Sequence, residues 1–184
     1  MLEEEWPTDP GMLAFTQGGG YPYGLWFEDQ PVVHSFLVEP GRWTLQGSWL
    51  ERDRLPTPVK GKILIAWSRD DWFTMVMKLV IPEATPQEMA LQYRGRLASG
   101  DCQYTFVLQH SQLGRVEGEG WVAPDSIIQR YWALGDRQRR TGFETLHRLD
   151  NGRYHLSSGI MTGHYLTSAM EATLQIQAPP SASS

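Results

Sequence analysis

The sequence has 184 residues, enough for one domain with a sizeable hydrophobic core but too few for two domains of ordinary size. Sixteen Lys and Arg against 21 Asp and Glu give a formal net charge of −5, which argues against a protein that binds a nucleic-acid backbone. The 18 glycines and 12 prolines interrupt long helices, whereas the eight Trp, seven Tyr and six Phe favour β-strands.

The single cysteine, Cys102, excludes an intramolecular disulfide and a cysteine-rich zinc site. The first residues are acidic and lack the basic and apolar stretches of a signal peptide. No run of about 18 apolar residues predicts a membrane-spanning helix. These features predict a cytoplasmic protein without a membrane span.

The chain divides into three predicted segments. Residues 1–30 are expected to be irregular, because prolines and the triple glycine at 18–20 recur there. Residues 31–177 are the predicted β-domain. Residues 178–184, Ala-Pro-Pro-Ser-Ala-Ser-Ser, form a tail that is predicted to be disordered.

Strand-like segments separated by turn residues recur through the predicted β-domain, and Asp150-Asn151-Gly152 is the strongest single turn signal. Residues 86–93 are the one stretch that could form a short helix instead. The predicted strands cover residues 32–38, 42–50, 62–68, 72–81, 89–98, 102–109, 116–122, 126–134, 139–149, 154–160 and 168–177.

Strands at this spacing without intervening helices are typical of an antiparallel sandwich or barrel. Closure removes the open edges that a flat sheet of this many strands would leave. Up-and-down order is the simplest topology, since sequence neighbours then pair in space. We therefore predict an all-β fold, an antiparallel up-and-down β-barrel of about 8–10 strands with one ligand cavity, and keep a sandwich as the alternative. Trp43, Trp49 and Trp132 share strand faces with apolar residues and are expected to be buried.

The sequence contains no catalytic motif: a nucleophile elbow, a zinc-protease helix and a phosphate-binding glycine pattern are all absent. We therefore predict no catalytic residues, and any enzymatic activity stays open. His147 and His155 flank the turn at 150–152 and are expected to lie near each other across a hairpin. The five histidines are otherwise scattered, so no metal site is predicted.

Residues 129–141 concentrate four arginines in 13 residues of an otherwise acidic chain. If Arg130 shares an interior face with Ile128 and Trp132, its charge must be paired, because an isolated buried ion is very costly. A ligand carboxylate, Glu144 or Glu171 could pair with it, since the guanidinium binds carboxylates bidentately. The alternative places Arg130 in solvent beside an inward Tyr131.

The same segment carries a resemblance to a known family. Arg130-Tyr131-Trp132, followed by a short turn and the run from Arg137 to Thr141, resembles the Arg-x-Trp and Arg-x-Arg-Thr strand pair of S-type phycobiliprotein lyases and related cyanobacterial lipocalin-like proteins. Gly135-Asp136 replaces the Pro-Asn of that family, and the likeness spans about residues 126–177. It implies a calycin barrel that binds an open-chain tetrapyrrole and delivers it to a cysteine of a phycobiliprotein.

We therefore predict a calycin-type barrel, similar to lipocalins and fatty-acid-binding proteins, that binds an elongated apolar acid. A bilin is the first ligand considered and a phycobiliprotein the implied client, with no other cofactor. The alternatives are a fatty-acid-binding protein and a ligand-free interaction barrel, and the oligomeric state stays open. The candidate ligand-binding residues are Arg130, Trp132, Arg139, Thr141, Glu144 and Glu171.

Overall fold

The computed structural model describes residues 25–27, 30–32, 34–82 and 86–178, with side chains from His34 onward. The predictions for residues 1–24 and 179–184 lie outside this part of the chain. The described residues contain strands and turns but no helix, and so none that could span a membrane. The strands are β1 (Leu25–Phe27), β2 (Gln30–Val32), β3 (Gly41–Glu51), β4 (Thr57–Trp67), β5 (Trp72–Ile81), β6 (Gln87–Arg96), β7 (Gln103–His110), β8 (Gly114–Val122), β9 (Ser126–Ala133), β10 (Arg140–Asp150), β11 (Arg153–Thr162) and β12 (Tyr165–Ile176).

Strands β3 to β12 form a closed, ten-stranded barrel, while β1 and β2 form a separate short hairpin. Each barrel strand pairs antiparallel with its neighbours in sequence, and β12 closes the barrel against β3, with Ser168 opposite Glu51 and Ile176 opposite Trp43. The predicted all-β, up-and-down barrel is confirmed, and the sandwich alternative is wrong. Residues 87–96 are strand β6, so the helix alternative is wrong as well.

Side chains alternate between the barrel interior and the outer surface, as a two-residue strand period requires. On β3, Trp43 and Leu45 are each 1% exposed, whereas the Arg42 and Gln46 side chains face solvent. Burial of such large apolar side chains contributes about 1.5–3 kcal/mol each to the free energy of unfolding. The prediction that three tryptophans are buried is confirmed for Trp43 and wrong for Trp132, which is 37% exposed. Trp49 is partly buried against the core.

Inward-facing glycines make room for aromatic rings on the adjacent strands. Tyr131 on β9 lies opposite Gly142 on β10, and a Cβ atom at Gly142 would sit 2.0 Å from the ring carbon Cζ. Tyr104 on β7 covers Gly120 on β8 in the same way, at 2.3 Å. Because no larger residue fits beneath these rings, the glycines fix where both tyrosines lie in the interior.

Residues 34–38 cross one end of the barrel, which we call the closed end. The predicted strand at 32–38 is therefore wrong from His34 onward. Residues 36–38 form a turn in which Leu37 has φ of 67° and its carbonyl accepts a hydrogen bond from Trp67 Nε1 at 2.8 Å. His34 holds the segment through Ala123 O at 2.7 Å and the Tyr154 hydroxyl at 2.9 Å. The structure describes no segment across the opposite end, which we call the open end.

Candidate functional site

A hydrogen-bonded chain of polar side chains lies inside the barrel. Tyr104 on β7, Gln129 on β9 and Glu144 on β10 each occupy an inward position of their strands. The Tyr104 hydroxyl donates to Gln129 Oε1 at 2.8 Å, and Gln129 Nε2 donates to Glu144 Oε2. Because the Tyr104 hydroxyl engages the Gln129 oxygen, the amide nitrogen of Gln129 is directed at the carboxyl group. The chain therefore orients Glu144, which is 7% exposed.

Glu144 is a buried carboxyl group without a cationic partner. Among the described residues, no Lys, Arg or His forms an ion pair with it. Burial raises the pKa of Glu144 to about 7, although the hydrogen bond from Gln129 acts in the opposite direction. The group therefore exchanges its proton close to neutral pH and can either donate or accept a hydrogen bond.

Tyrosine hydroxyl groups accompany this carboxyl group. Burial and the charge of Glu144 both raise the pKa of Tyr93 and of Tyr131, so both stay protonated donors at neutral pH. The Tyr93 hydroxyl is buried and has no hydrogen-bond partner among the described residues. A buried donor without a partner costs about 1–3 kcal/mol, so a ligand acceptor that reached Tyr93 would recover that energy.

A small cavity lies between Glu144 and the open end. Its volume is about 20 Å³, so as it stands the cavity holds about one water molecule. Larger ligands require the lining to move, and unbranched methionines adapt to such changes readily. The lining residues include Trp49, Met77, Met89, His110, Tyr131, Glu144, Ser158, Ile160 and Met170.

His110, the last residue of β7, adds a neutral donor to this cavity. The backbone N–H groups of Gln112 and Leu113 donate to its Nδ1 at 3.0 and 3.3 Å, so the ring proton of the neutral form resides on Nε2. Burial, assisted by the charge of Arg140, lowers the pKa of His110 to about 4. The imidazole is therefore uncharged at neutral pH, and the cavity contains an N–H donor as well as the carboxyl group.

The structure separates the predicted site residues. Glu144 faces the interior, but Arg130 lies on the outer surface, where its Nε donates to Glu119 Oε1 at 2.7 Å. Tyr131, 3% exposed, occupies the inward position instead. The prediction that the Arg130 and Trp132 face lines the interior is therefore wrong, and the alternative with Tyr131 inward is correct.

The remaining predicted residues also lie away from the cavity. Arg139 is exposed in the turn between β9 and β10, with φ of 52°, and Thr141 is partly buried beside the inward Gly142. Glu171 is exposed on β12, where its Oε1 lies 3.3 Å from His155 Nε2. His155 is opposite His147 as predicted, yet no group of three metal-ligating side chains occurs in the described ranges.

Sequence reasoning missed four of the interior polar residues. A signal for His110 was present, because Tyr104, Phe106, Leu108 and His110 alternate along β7 and place the histidine on the apolar face. Tyr104 and Gln129 are 25 residues apart, so their contact depends on strand register, which no local pattern specifies. Tyr93 is the fourth, and it alternates with Leu91 and Met89 on β6.

Comparison with known proteins adds information about the fold. No family model matches the sequence, and no curated protein matches it significantly. Rv2717c from M. tuberculosis is a structural neighbour with a TM-score of 0.59 and 15% identity, over 75% of this chain and 92% of its own. The S-type phycobiliprotein lyase CPES from Guillardia theta has a TM-score of 0.51 and 14% identity, over 76% of this chain and 88% of its own.

This chain shares the barrel fold of an S-type phycobiliprotein lyase. The resemblance predicted from residues 126–177 is thus supported at the level of fold. The chain is a closed barrel of ten antiparallel strands.

Proposed function

We propose that this protein is a bilin-binding protein of the calycin type, which takes an open-chain tetrapyrrole through the open end and holds it at Glu144. The observation that carries the proposal is the buried carboxyl group of Glu144, oriented by Gln129 and lacking a cationic partner. A bilin presents pyrrole N–H donors within a conjugated, largely apolar body. A carboxylate that accepts such donors in a low-dielectric interior forms strong charge-assisted hydrogen bonds.

The surroundings of Glu144 support the same ligand class. The unpartnered Tyr93 hydroxyl suits a ring carbonyl of the bilin, and Met77, Met89 and Trp49 suit its conjugated body. The propionate groups would extend from the open end toward Arg139, which is exposed in the turn between β9 and β10. The fold shared with a phycobiliprotein lyase favours a tetrapyrrole over other elongated acids.

Binding of a bilin requires the interior to open, because the cavity admits about one water molecule. Three methionines, Met77, Met89 and Met170, line it and can change rotamer at low cost. The binding reaction is therefore expected to be accompanied by a change in the near-ultraviolet circular dichroism of the interior aromatic residues.

Absorbance titration of the purified protein with biliverdin and with phycocyanobilin tests the proposal. We expect saturable binding, a shifted long-wavelength band and induced circular dichroism in that band. Oleic acid is the comparison ligand: if it binds and neither bilin does, the protein is a fatty-acid carrier. Incubation of the bilin complex with an apo-phycobiliprotein then tests chromophore delivery, since a lyase leaves the chromophore covalently bound to the client cysteine.

A second candidate function is a ligand-free interaction barrel, and the filled interior favours it. Tyr93 and Tyr104 are 1% and 2% exposed and occupy space that a ligand would need. If this candidate is correct, bilins and oleic acid leave the near-ultraviolet spectrum unchanged at every concentration. Saturable binding of a bilin with a spectral change contradicts it.

A further inference from the structure

Three hairpin turns at the open end form one continuous surface, which we call the basic half-rim. It comprises the turns at residues 52–56, 134–139 and 163–164 with the flanking residues Arg140, Tyr165 and Leu166. Strands β4, β3, β12, β11, β10 and β9 are consecutive around the barrel, so the three turns are neighbours. Two contacts connect them: Arg52 lies 5.8 Å from the ring centroid of Tyr165, and Arg140 is opposite Thr162.

The basic half-rim carries the most exposed large apolar side chains of the described residues. Leu55 is 86% exposed, Leu166 56% and Tyr165 55%. Single exposed apolar side chains are ordinary on protein surfaces, but two leucines and a tyrosine that share one part of one end mark an interaction site. They extend from two separate hairpins and do not form one flat patch.

Positive charge surrounds these apolar side chains. Five arginines and three acidic residues lie in or beside the three turns, an excess of two positive charges on a chain with a net charge of −5. The arginines are Arg52, Arg54, Arg137, Arg139 and Arg140, and the acids are Glu51, Asp53 and Asp136. The turns at the closed end and the residues beside them carry an excess of one negative charge, with Glu39, Asp70, Asp71, Asp101, Asp125 and Asp150 against Arg42, Arg69, Arg96, Arg148 and Arg153.

We propose that the basic half-rim docks on an anionic lipid membrane. Leu55, Tyr165 and Leu166 insert among the headgroups, while the arginines lie at the level of the lipid phosphates. The charge of the surface complements an anionic leaflet, and basic residues around exposed apolar side chains are the usual composition of peripheral membrane contacts. Apolar side chains on separate turn tips suit a fluid surface, whereas a protein interface is built around a packed apolar core.

The proposal does not depend on the identity of the interior ligand. It places the open end of the barrel against the membrane, so an apolar ligand would pass between lipid and barrel without crossing water. The acidic turns of the closed end then face away from the anionic surface, as the sign of their charge requires.

Co-sedimentation with phosphatidylcholine vesicles, prepared with and without phosphatidylserine, tests the proposal. We expect the protein to bind the anionic vesicles and to dissociate at high salt, with little binding to neutral vesicles. Arg52→Gln/Arg137→Gln should reduce partitioning roughly 25-fold, since each arginine near an anionic surface contributes roughly fivefold. Leu55→Ser and Leu166→Ser should each reduce it about tenfold through the loss of inserted apolar surface.

Matched controls exist elsewhere on the barrel. Leu64 and Leu149 are 48% and 51% exposed but lie outside the half-rim, so Leu64→Ser and Leu149→Ser should bind vesicles as the wild type does. Arg69→Gln/Arg96→Gln removes the same charge at the closed end and should change partitioning by less than the half-rim pair. All these positions are exposed, and thermal unfolding verifies that each variant folds.

Other outcomes assign the surface to another occupant. No binding to anionic vesicles, or equal losses in half-rim and control variants, overturns the proposal. Binding to poly-glutamate that is as tight as binding to vesicles and insensitive to Leu55→Ser indicates an acidic protein partner instead. A dimer in analytical ultracentrifugation that Leu55→Ser or Leu166→Ser dissociates indicates a second copy of this chain, and this also overturns the membrane assignment.

Discussion

Two buried side chains beside the cavity have pKa values displaced in opposite directions by one physical cause. Burial disfavours the charged form of each, so the pKa of Glu144 rises to about 7 and the pKa of His110 falls to about 4. Near pH 6 both groups are mainly neutral, which is the state that an apolar interior favours. Their contributions to the pH dependence of stability therefore oppose each other.

The wild type should lose stability as the pH rises, and the Glu144→Gln variant should not show this loss. The pKa of this carboxyl group is 4.5 in the unfolded chain and about 7 in the fold. The protonated group therefore stabilises the fold fully below pH 4.5, and that contribution is lost as the pH rises through about 7. The wild type should therefore lose up to about 3 kcal/mol relative to Glu144→Gln over this range. Urea unfolding at intervals between these pH values measures the free energy of unfolding of both proteins. If the two free energies change in parallel with pH, the pKa of Glu144 is not raised.

His110→Asn should reveal the opposite effect. The neutral imidazole stabilises the fold above pH 6.5, and this contribution is lost as the pH falls through about 4, at a cost of up to about 3 kcal/mol. Asparagine keeps an acceptor for the backbone N–H groups of Gln112 and Leu113 but cannot ionise. The variant should therefore be less sensitive to acid than the wild type in the same urea series, and equal acid sensitivity would contradict the assignment.

At the scale of single strands, alternation identifies the interior face only when the two faces differ in composition. On β3 the contrast is clear, since Trp43 and Leu45 alternate with Arg42 and Thr44. On β9 both faces carry apolar and polar residues, so the pattern leaves two assignments. Tyr131 decides between them, because its ring lies over Gly142 on the neighbouring strand β10, where a larger residue would leave no room for it. Gly142 is visible in the sequence, but the register that places it opposite Tyr131 is not.

Gly142→Ala should destabilise the barrel by about 1–3 kcal/mol, the usual cost of overpacking a filled interior. The new methyl group would lie 2.0 Å from Tyr131 Cζ, so the ring or the strand must move. Tyr131→Leu in the Gly142→Ala background should recover part of the loss. Urea unfolding measures each variant, and a Gly142→Ala protein as stable as the wild type would contradict the close approach of ring and glycine.

Turn residues explain why the order of the strands can be predicted from the sequence. The residues of the candidate site can be predicted only in part. Gly, Pro, Asn and Asp clusters separate the strands, and closure of successive hairpins then gives the barrel. Residues 34–38 depart from their strand pattern because they cross the closed end, where Leu37, 2% exposed, contacts the core. The sequence predicts Glu144 as a ligand-binding residue and as a partner of Arg130. That pairing requires Arg130 to face the barrel interior, whereas it faces outward on β9.

At the scale of the whole molecule, the barrel has two different ends. Residues 34–38 cover the closed end, with Phe36 packed edge-on against Trp43 at 5.2 Å between ring centroids. The cavity above Glu144 extends toward the open end, which the arginine-rich turns border. A ligand that enters from the open end therefore meets the cavity before it reaches Glu144.

Comparison of the bilin affinities of Glu144→Gln and Glu171→Gln tests the central claim most directly. Both variants remove one carboxylate, but Glu144 lies in the interior and Glu171 is exposed on the outer surface. At about pH 8 Glu144 is mainly ionised, and loss of a charge-assisted hydrogen bond costs about 1.5–3 kcal/mol. The account predicts that biliverdin binds Glu144→Gln about 10- to 150-fold more weakly than wild type, and Glu171→Gln equally well. Saturable binding of equal strength to wild type and Glu144→Gln would contradict it.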